Sequence, residues 1–189
     1  MEEKDLIIGH TRKWISDVVV GCNFCPFAAR ELKRNSIQYD IVISNTINDI
    51  LQVLLNAMRR LDHDPGIETL FIIMPDSFLY FDRYLQLVTA AEKLLAKESY
   101  EGIYQVAGFH PQYIFAGSTE DDAANYTNRS PYPMLHLLRE DSVSRAIDSH
   151  PDTEGIPRQN ILFARSKGLA YMQTLKNNAL NDAGSGQKK

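Results

Sequence analysis

Thr69-Leu70-Phe71-Ile72-Ile73-Met74, closed by Pro75, is the stretch on which the fold turns. An apolar, β-branched run this short, stopped by proline, suits a strand better than a helix. A strand open to water on one face would alternate polar with apolar residues, whereas an unbroken run is buried on both faces. The sequence therefore predicts a central strand over 69–74.

Reading outward on the amino side, Ile47, Ile50, Leu51, Leu54, Leu55, Met58 and Leu61 recur at i, i+3, i+4, i+7 and onward. This is an amphipathic helix, with Thr46 and Asp49 placed as its cap and Asp64-Pro65-Gly66 as its stop. Ile37 to Ile43 before it reads as a strand rich in β-branched and aromatic residues. On the carboxyl side a helix from about Phe81 to Lys97 leads to a third strand, Ile103 to Phe109. Strand, helix, strand, helix, strand with crossovers of this length predicts an α/β fold. Its sheet is small and mostly parallel, of three to four strands, with helices packed on it.

Extra helices flank this unit. Ile7, Trp14, Ile15, Val18 and Val19 give a first helix that stops near Gly21, and a short second helix begins at Asn23 or Cys25. Two more are predicted from Pro133 to Ile147 and from Pro157 to Leu175, each with proline in its first turn. Between Phe109 and Pro133 the chain reads as irregular and polar, apart from a short strand at Tyr113 to Phe115. Residues 1–180 read as one α/β domain and 181–189 as a disordered tail.

The formal charge is -4, and the basic residues are interleaved with acidic ones, so the chain lacks the basic block of a nucleic-acid binder. No apolar run approaches the ~18 residues of a membrane span, and the start is too acidic for a secretory signal. The expectation is a soluble, cytoplasmic protein with no nucleic-acid or membrane partner. In that compartment the thiols stay reduced, and the sequons at Asn125 and Asn128 go unglycosylated.

Both cysteines lie in Gly21-Cys22-Asn23-Phe24-Cys25-Pro26-Phe27. They are read as small buried hydrophobes, as a reactive Cys25 at the positive end of a helix, or as a dithiol or metal pair. None of the five histidines has the spacing of a structural zinc finger, so neither a metal nor a cofactor is expected. The richest polar segment is 121–133, in which Arg129 and Ser130 could form an anion site before a helix, with Tyr126 and Tyr132 as flat walls. The same residues also suit an ordered loop of caps and turns. His110 closes the third strand at its carboxyl end, where α/β sheets collect ligands, and reads either as base or ligand contact or as a structural histidine.

With these pieces assembled the chain resembles the bacterial and plastid family called domain of unknown function 1415. The resemblance rests on Gly21 to Ala28, on Phe109-His110-Pro111, on Asn125 to Glu140, and on Ile156-Pro157 with Asn160. It implies no activity. It does imply that Cys25 is the motif cysteine while Cys22 stands where an apolar residue is usual, which weakens a dithiol or zinc pair.

The leading expectation is a small-molecule-binding protein, whether or not a thiol-dependent enzyme, for an anionic metabolite carrying phosphate or carboxylate. Its cleft would lie between the Cys25 helix start and the 125–133 loop. Asn125, Asn128, Arg129, Ser130, Tyr132 and Arg139 are the expected ligand contacts, with Cys25 as nucleophile and His110 as base. The rivals are a non-catalytic interaction module and a C-x-x-C redox protein, and the reading admits a homo-oligomer.

Overall fold

The apolar run at 69–74 takes the middle of a sheet, and the two periodic helices beside it form where their spacing puts them. The computed structural model describes residues 2–148 and 155–181. In chain order these form α1 (Glu3–Trp14), continued as a π-helical turn over Ile15–Val20, then α2 (Ala28–Arg34), β1 (Ile37–Ile41), α3 (Ile47–His63) and β2 (Thr69–Ile73). There follow α4 (Phe81–Lys97), β3 (Tyr104–Phe109), a 3-10 turn at Ala123–Thr127, β4 (Met134–Arg139), α5 (Glu140–Asp148), α6 (Ile156–Lys167) and α7 (Leu169–Asn181). They fall into two compact units. One holds the described residues within 1–30, 110–131 and 152–189, and the other those within 31–109 and 132–151. The tail expected at 181–189 lies, past Asn181, outside the described residues.

In the sheet unit the strand order is β1-β2-β4-β3. β1 and β2 pair in parallel, while β4 is antiparallel to both β2 and β3. The mostly parallel sheet expected from the sequence is thus corrected to a mixed one in which a single pair is parallel. The three strands of the strand-helix repeat do run in one direction, but β4 lies between the second and third. Six residues expected to open a helix at Pro133 instead form β4, and helix begins only at Glu140. The reason is physical: Met-Leu-His-Leu-Leu-Arg suits either a buried helix or a buried strand, and periodicity alone does not separate the two. The facing edges of β2 and β3 each present a row of unpaired N–H and C=O groups, and one antiparallel strand satisfies both.

Alternation then decides what faces what. Leu70, Ile72, Leu135 and Leu137 share one hydrophobic cluster with Ile50, Leu54 and Met58 of α3 and Tyr84, Leu87 and Ala91 of α4. Each such Leu or Ile is fully buried and contributes about 1.5–3 kcal/mol. The alternate residues carry rings on the opposite face: Tyr39 stacks on Phe71 at 6.0 Å, and Phe71 on His136 at 3.9 Å. The expected cap of α3 is formed, for Thr46 accepts a hydrogen bond from the Asp49 N–H at 3.2 Å.

In the other unit α1 packs on α7, and both α6 and α7 pack on the 3-10 turn. Trp14, fully buried, donates its indole N–H to the Arg129 carbonyl at 3.1 Å, tying α1 to the loop. The helix expected over Pro157 to Leu175 is divided at Gly168, whose φ of +83° ends α6 and starts α7. Only glycine takes that conformation without strain. The strand expected at Tyr113 to Phe115 does not form. Its backbone is satisfied by side chains instead, with the Phe115 N–H on Asn125 Oδ1 and the Tyr113 carbonyl on Arg129 Nε.

Two tests follow from the sheet unit. A Cβ at Gly108 would lie 2.8 Å from the Tyr84 hydroxyl, which is itself held by the Met134 carbonyl at 2.8 Å. Gly108→Ala is expected to destabilise the fold by about 1–3 kcal/mol in urea unfolding, and the loss should be less than additive with Tyr84→Phe. The second concerns His136. Thr69 has one hydroxyl proton and gives it to the Leu137 carbonyl, so the 2.6 Å contact with His136 Nε2 is donated by the ring. Burial pushes this imidazole down to about 3. Because the unfolded chain binds the extra proton first, stability should fall as pH drops from about 6.5 toward 3, by roughly 1–3 kcal/mol. His136→Phe should flatten that slope in pH-dependent unfolding, and an unchanged slope would assign it to other groups.

Candidate functional site

The polar segment leaving β3 is buried, and its side chains replace a strand ladder. His110, Asn125 and Ser130 are fully buried, and Arg129 is 7% exposed. The His110 N–H donates to the Asn128 carbonyl at 3.2 Å, and its Nδ1 accepts from the Gln112 N–H at 3.0 Å. The neutral ring therefore carries its proton on Nε2, and the lone pair a base would use at Nδ1 is engaged. Asn125 accepts from Phe115 and donates to the carbonyls of Thr119, at 2.8 Å, and Glu120. The Thr127 hydroxyl lies 3.0 Å from the Ala124 carbonyl and 3.1 Å from Asn128 Oδ1, and its one proton is shared between these acceptors.

Arg129 is the hub of this loop. Its Nε donates to the Tyr113 carbonyl at 3.0 Å and its Nη2 to the Glu120 carbonyl at 2.9 Å, while the guanidinium lies 4.8 Å from the Tyr126 ring centre. These contacts fix the group without neutralising its charge. Lys176 on α7 is the second cation. Its ammonium is held below the ordinary lysine value, first by burial and then by the charge of Arg129. Among the described residues neither side chain is in an ion pair. By contrast Asp122 pairs with Arg165 at 2.6 Å, which together with the Ala124 N–H holds its carboxyl well below the usual range.

Cys25 lies ahead of α2, which begins at Ala28 and so later than the Asn23 or Cys25 start expected from the sequence. Its sulfur interacts with the N–H groups of Phe27 and Ala28, but burial outweighs them and pushes the thiol up. Cys22 is buried and likewise pushed up by burial, against a smaller opposite effect from Lys167. The segment is anchored to α6 by Asn160, which donates to the Phe24 carbonyl at 2.8 Å, and by Phe24 set edge-on to Phe163. Both cysteines are free thiols.

The two remaining expected contacts lie in the sheet unit. Tyr132 keeps its phenol proton, raised by burial and by the Asp76 charge. Arg139, on β4, gives its guanidinium to the carbonyls of Leu61, Asp64 and Ile67. There it closes the carboxyl end of α3, where exposed carbonyls and the helix dipole favour a cation.

A family model matches residues 6–174 of the chain. The chain belongs to the DUF1415 family, described as protein of unknown function. No curated protein and no solved structure matches it. In this DUF1415 protein the expected loop residues His110, Asn125, Asn128 and Arg129 thus share one hydrogen-bonded network and Ser130 is buried in the same unit, whereas Tyr132 and Arg139 do not belong to that unit. Sequence reasoning missed Lys176. Its signal was present, since Met172, Leu175, Lys176 and Ala179 form one helical stripe and a lysine interrupts it.

Thiol reactivity tests the cysteine environment. With both thiols pushed up, the thiolate fraction near pH 8 is small, and iodoacetamide should label the folded protein about tenfold or more slower than free cysteine. Labelling at the free-cysteine rate without unfolding would contradict that environment.

Proposed function

We propose that this protein binds a small anionic molecule, carrying a phosphate or carboxylate, between the guanidinium of Arg129 and the ammonium of Lys176. One observation carries the reading: the half-buried Lys176 feels the charge of the buried Arg129, and among the described residues no carboxylate is paired with either. Neighbouring cations in such a setting repel and are poorly solvated, and an anion relieves both costs. The carbonyls of Tyr113 and Glu120 hold the Arg129 fork in place beforehand, so little ordering remains for the ligand to bring about.

The thiol-enzyme and dithiol readings draw less support, because burial keeps both sulfurs protonated. The interaction-module reading has an observation of its own in the sheet unit. Ile43, Leu79 and Tyr80, on the loops after β1 and β2, are 75%, 52% and 81% exposed. The Arg83 contact to the Asn45 carbonyl ties α4 to the first of these loops.

Thermal unfolding at fixed ionic strength tests the anion site. Inorganic phosphate and a panel of phosphorylated and dicarboxylate metabolites should raise Tm in the wild type. Lys176→Met should be more stable than wild type without anion, and should lose about tenfold or more in affinity. The unfolded chain binds more protons between the lowered Lys176 value and the usual 10.5, so wild-type stability gains with rising pH in that window, and the variant lacks this gain. Equal anion responses in wild type and Lys176→Met would remove the site.

A further inference from the structure

The sheet unit contains a cleft of about 350 Å³, walled by Glu68, Tyr104, Arg139, Asp141, Ser142 and Arg145. Two of its walls are rigid. Arg139 is tied through its fork to three main-chain carbonyls, and its guanidinium lies 5.9 Å from the centre of the Tyr104 ring. Tyr104 is pinned in turn by its hydroxyl on Asp62 Oδ1 at 2.7 Å, while Tyr100 occupies Oδ2 of the same carboxylate at 2.6 Å. A cleft held this way is formed before any ligand arrives.

The polar groups that remain divide by sign. Oε1 of Glu68 is buried and has no hydrogen-bond partner among the described residues, although the Glu68 N–H is fixed on the Ser36 carbonyl at 2.9 Å. A buried carboxylate oxygen without a donor is an uncompensated loss of solvation, and in a native fold such an atom calls for an explanation. Asp141 adds a second carboxylate to the lining. Opposite in sign, exposed Arg145 donates to the Ser142 hydroxyl at 2.9 Å and is in no ion pair among the described residues. Two acids and two arginines leave the lining without net charge, which disfavours a simple anion or a simple cation.

We propose that this cleft binds a small zwitterion, an amine-bearing carboxylate of the amino-acid class. The ammonium is taken up on the acidic side of the lining, by the carboxylate of Glu68 with that of Asp141, and the carboxylate is received by Arg145 and the Ser142 hydroxyl. Pro65 and Ile103 offer apolar surface to a side chain. This site is independent of the Arg129 and Lys176 reading, because the lining residues all belong to the sheet unit.

The test uses the full chain and a panel of free L-amino acids, each beside its N-acetyl and C-amide derivatives, in calorimetry and ligand-observed NMR. At least one free amino acid should bind in the millimolar range or tighter. Acetylation, which removes the ammonium, and amidation, which removes the carboxylate, should each weaken it by about tenfold or more. Glu68→Gln and Arg145→Gln should each do the same, with circular dichroism unchanged. Lys176→Met should leave amino-acid binding intact, which separates this site from the anion site. Absence of binding by every amino acid at about 10 mM, equal binding of the acetylated forms, or undiminished affinity in Glu68→Gln would each overturn the proposal.

Discussion

The sheet depends on one constraint: the inner edges of β2 and β3 are both completed by β4. Backbone N–H and C=O groups removed from water must be paired, and β2 and β3, which do not pair with each other, would each be left with an open edge without a strand between them. Inserting one antiparallel strand closes both, and it brings Leu135 and Leu137 into the same cluster as Leu70 and Ile72. It also fixes the sites of other side chains. Tyr84 reaches from α4 to the Met134 carbonyl past Gly108, a route that a larger residue at 108 would obstruct. At the far end of β4, Arg139 caps the carboxyl end of α3.

The loop unit solves the same backbone problem without a sheet. In residues 110–131, long polar side chains take the place of a ladder. Asn125 receives one main-chain donor and serves the carbonyls of Thr119 and Glu120, and Arg129 serves that of Tyr113 and shares that of Glu120. Hydrogen bonds from a charged donor to carbonyls are stronger than neutral ones, so a few such residues hold a long irregular segment in one conformation. A guanidinium used this way keeps its charge. A structural arginine can therefore also be an electrostatic determinant, especially beside Lys176, for an ion held in carbonyl hydrogen bonds is still an ion.

The legibility of the chain follows the range of the forces involved. α3 was readable because its stripe from Ile47 to Leu61, its Thr46 cap and its Pro65 stop are all local. β2 was readable because only a doubly buried strand tolerates an uninterrupted apolar run. β4 was misread as helix because its residues favour either state, and the deciding influence is the pair of edges supplied by residues far away in sequence. The break at Gly168 was available in principle, though a lone glycine inside a helical pattern marks a C-terminus only when its backbone turns to positive φ. At the candidate site the density of polar residues in 121–133 was evident, but the use of each was not. Asn125 and Arg139 have the side chains of ligand contacts and are engaged with main-chain groups. Lys176 has the side chain of a solvated surface residue, yet is half-buried where the charge of Arg129 reaches it.

By itself the sequence determined the α/β class, the central strand, the two periodic helices beside it and the concentration of polar chemistry after His110. These depend on periodicity, capping and composition, which act over a few residues. Tertiary structure alone decided the position and direction of β4, the burial that pushes up both thiols whose spacing had suggested reactivity, and the placing of Lys176 within reach of the Arg129 charge. Each of these rests on burial or on pairing between distant segments, and neither quantity exists until the chain has folded.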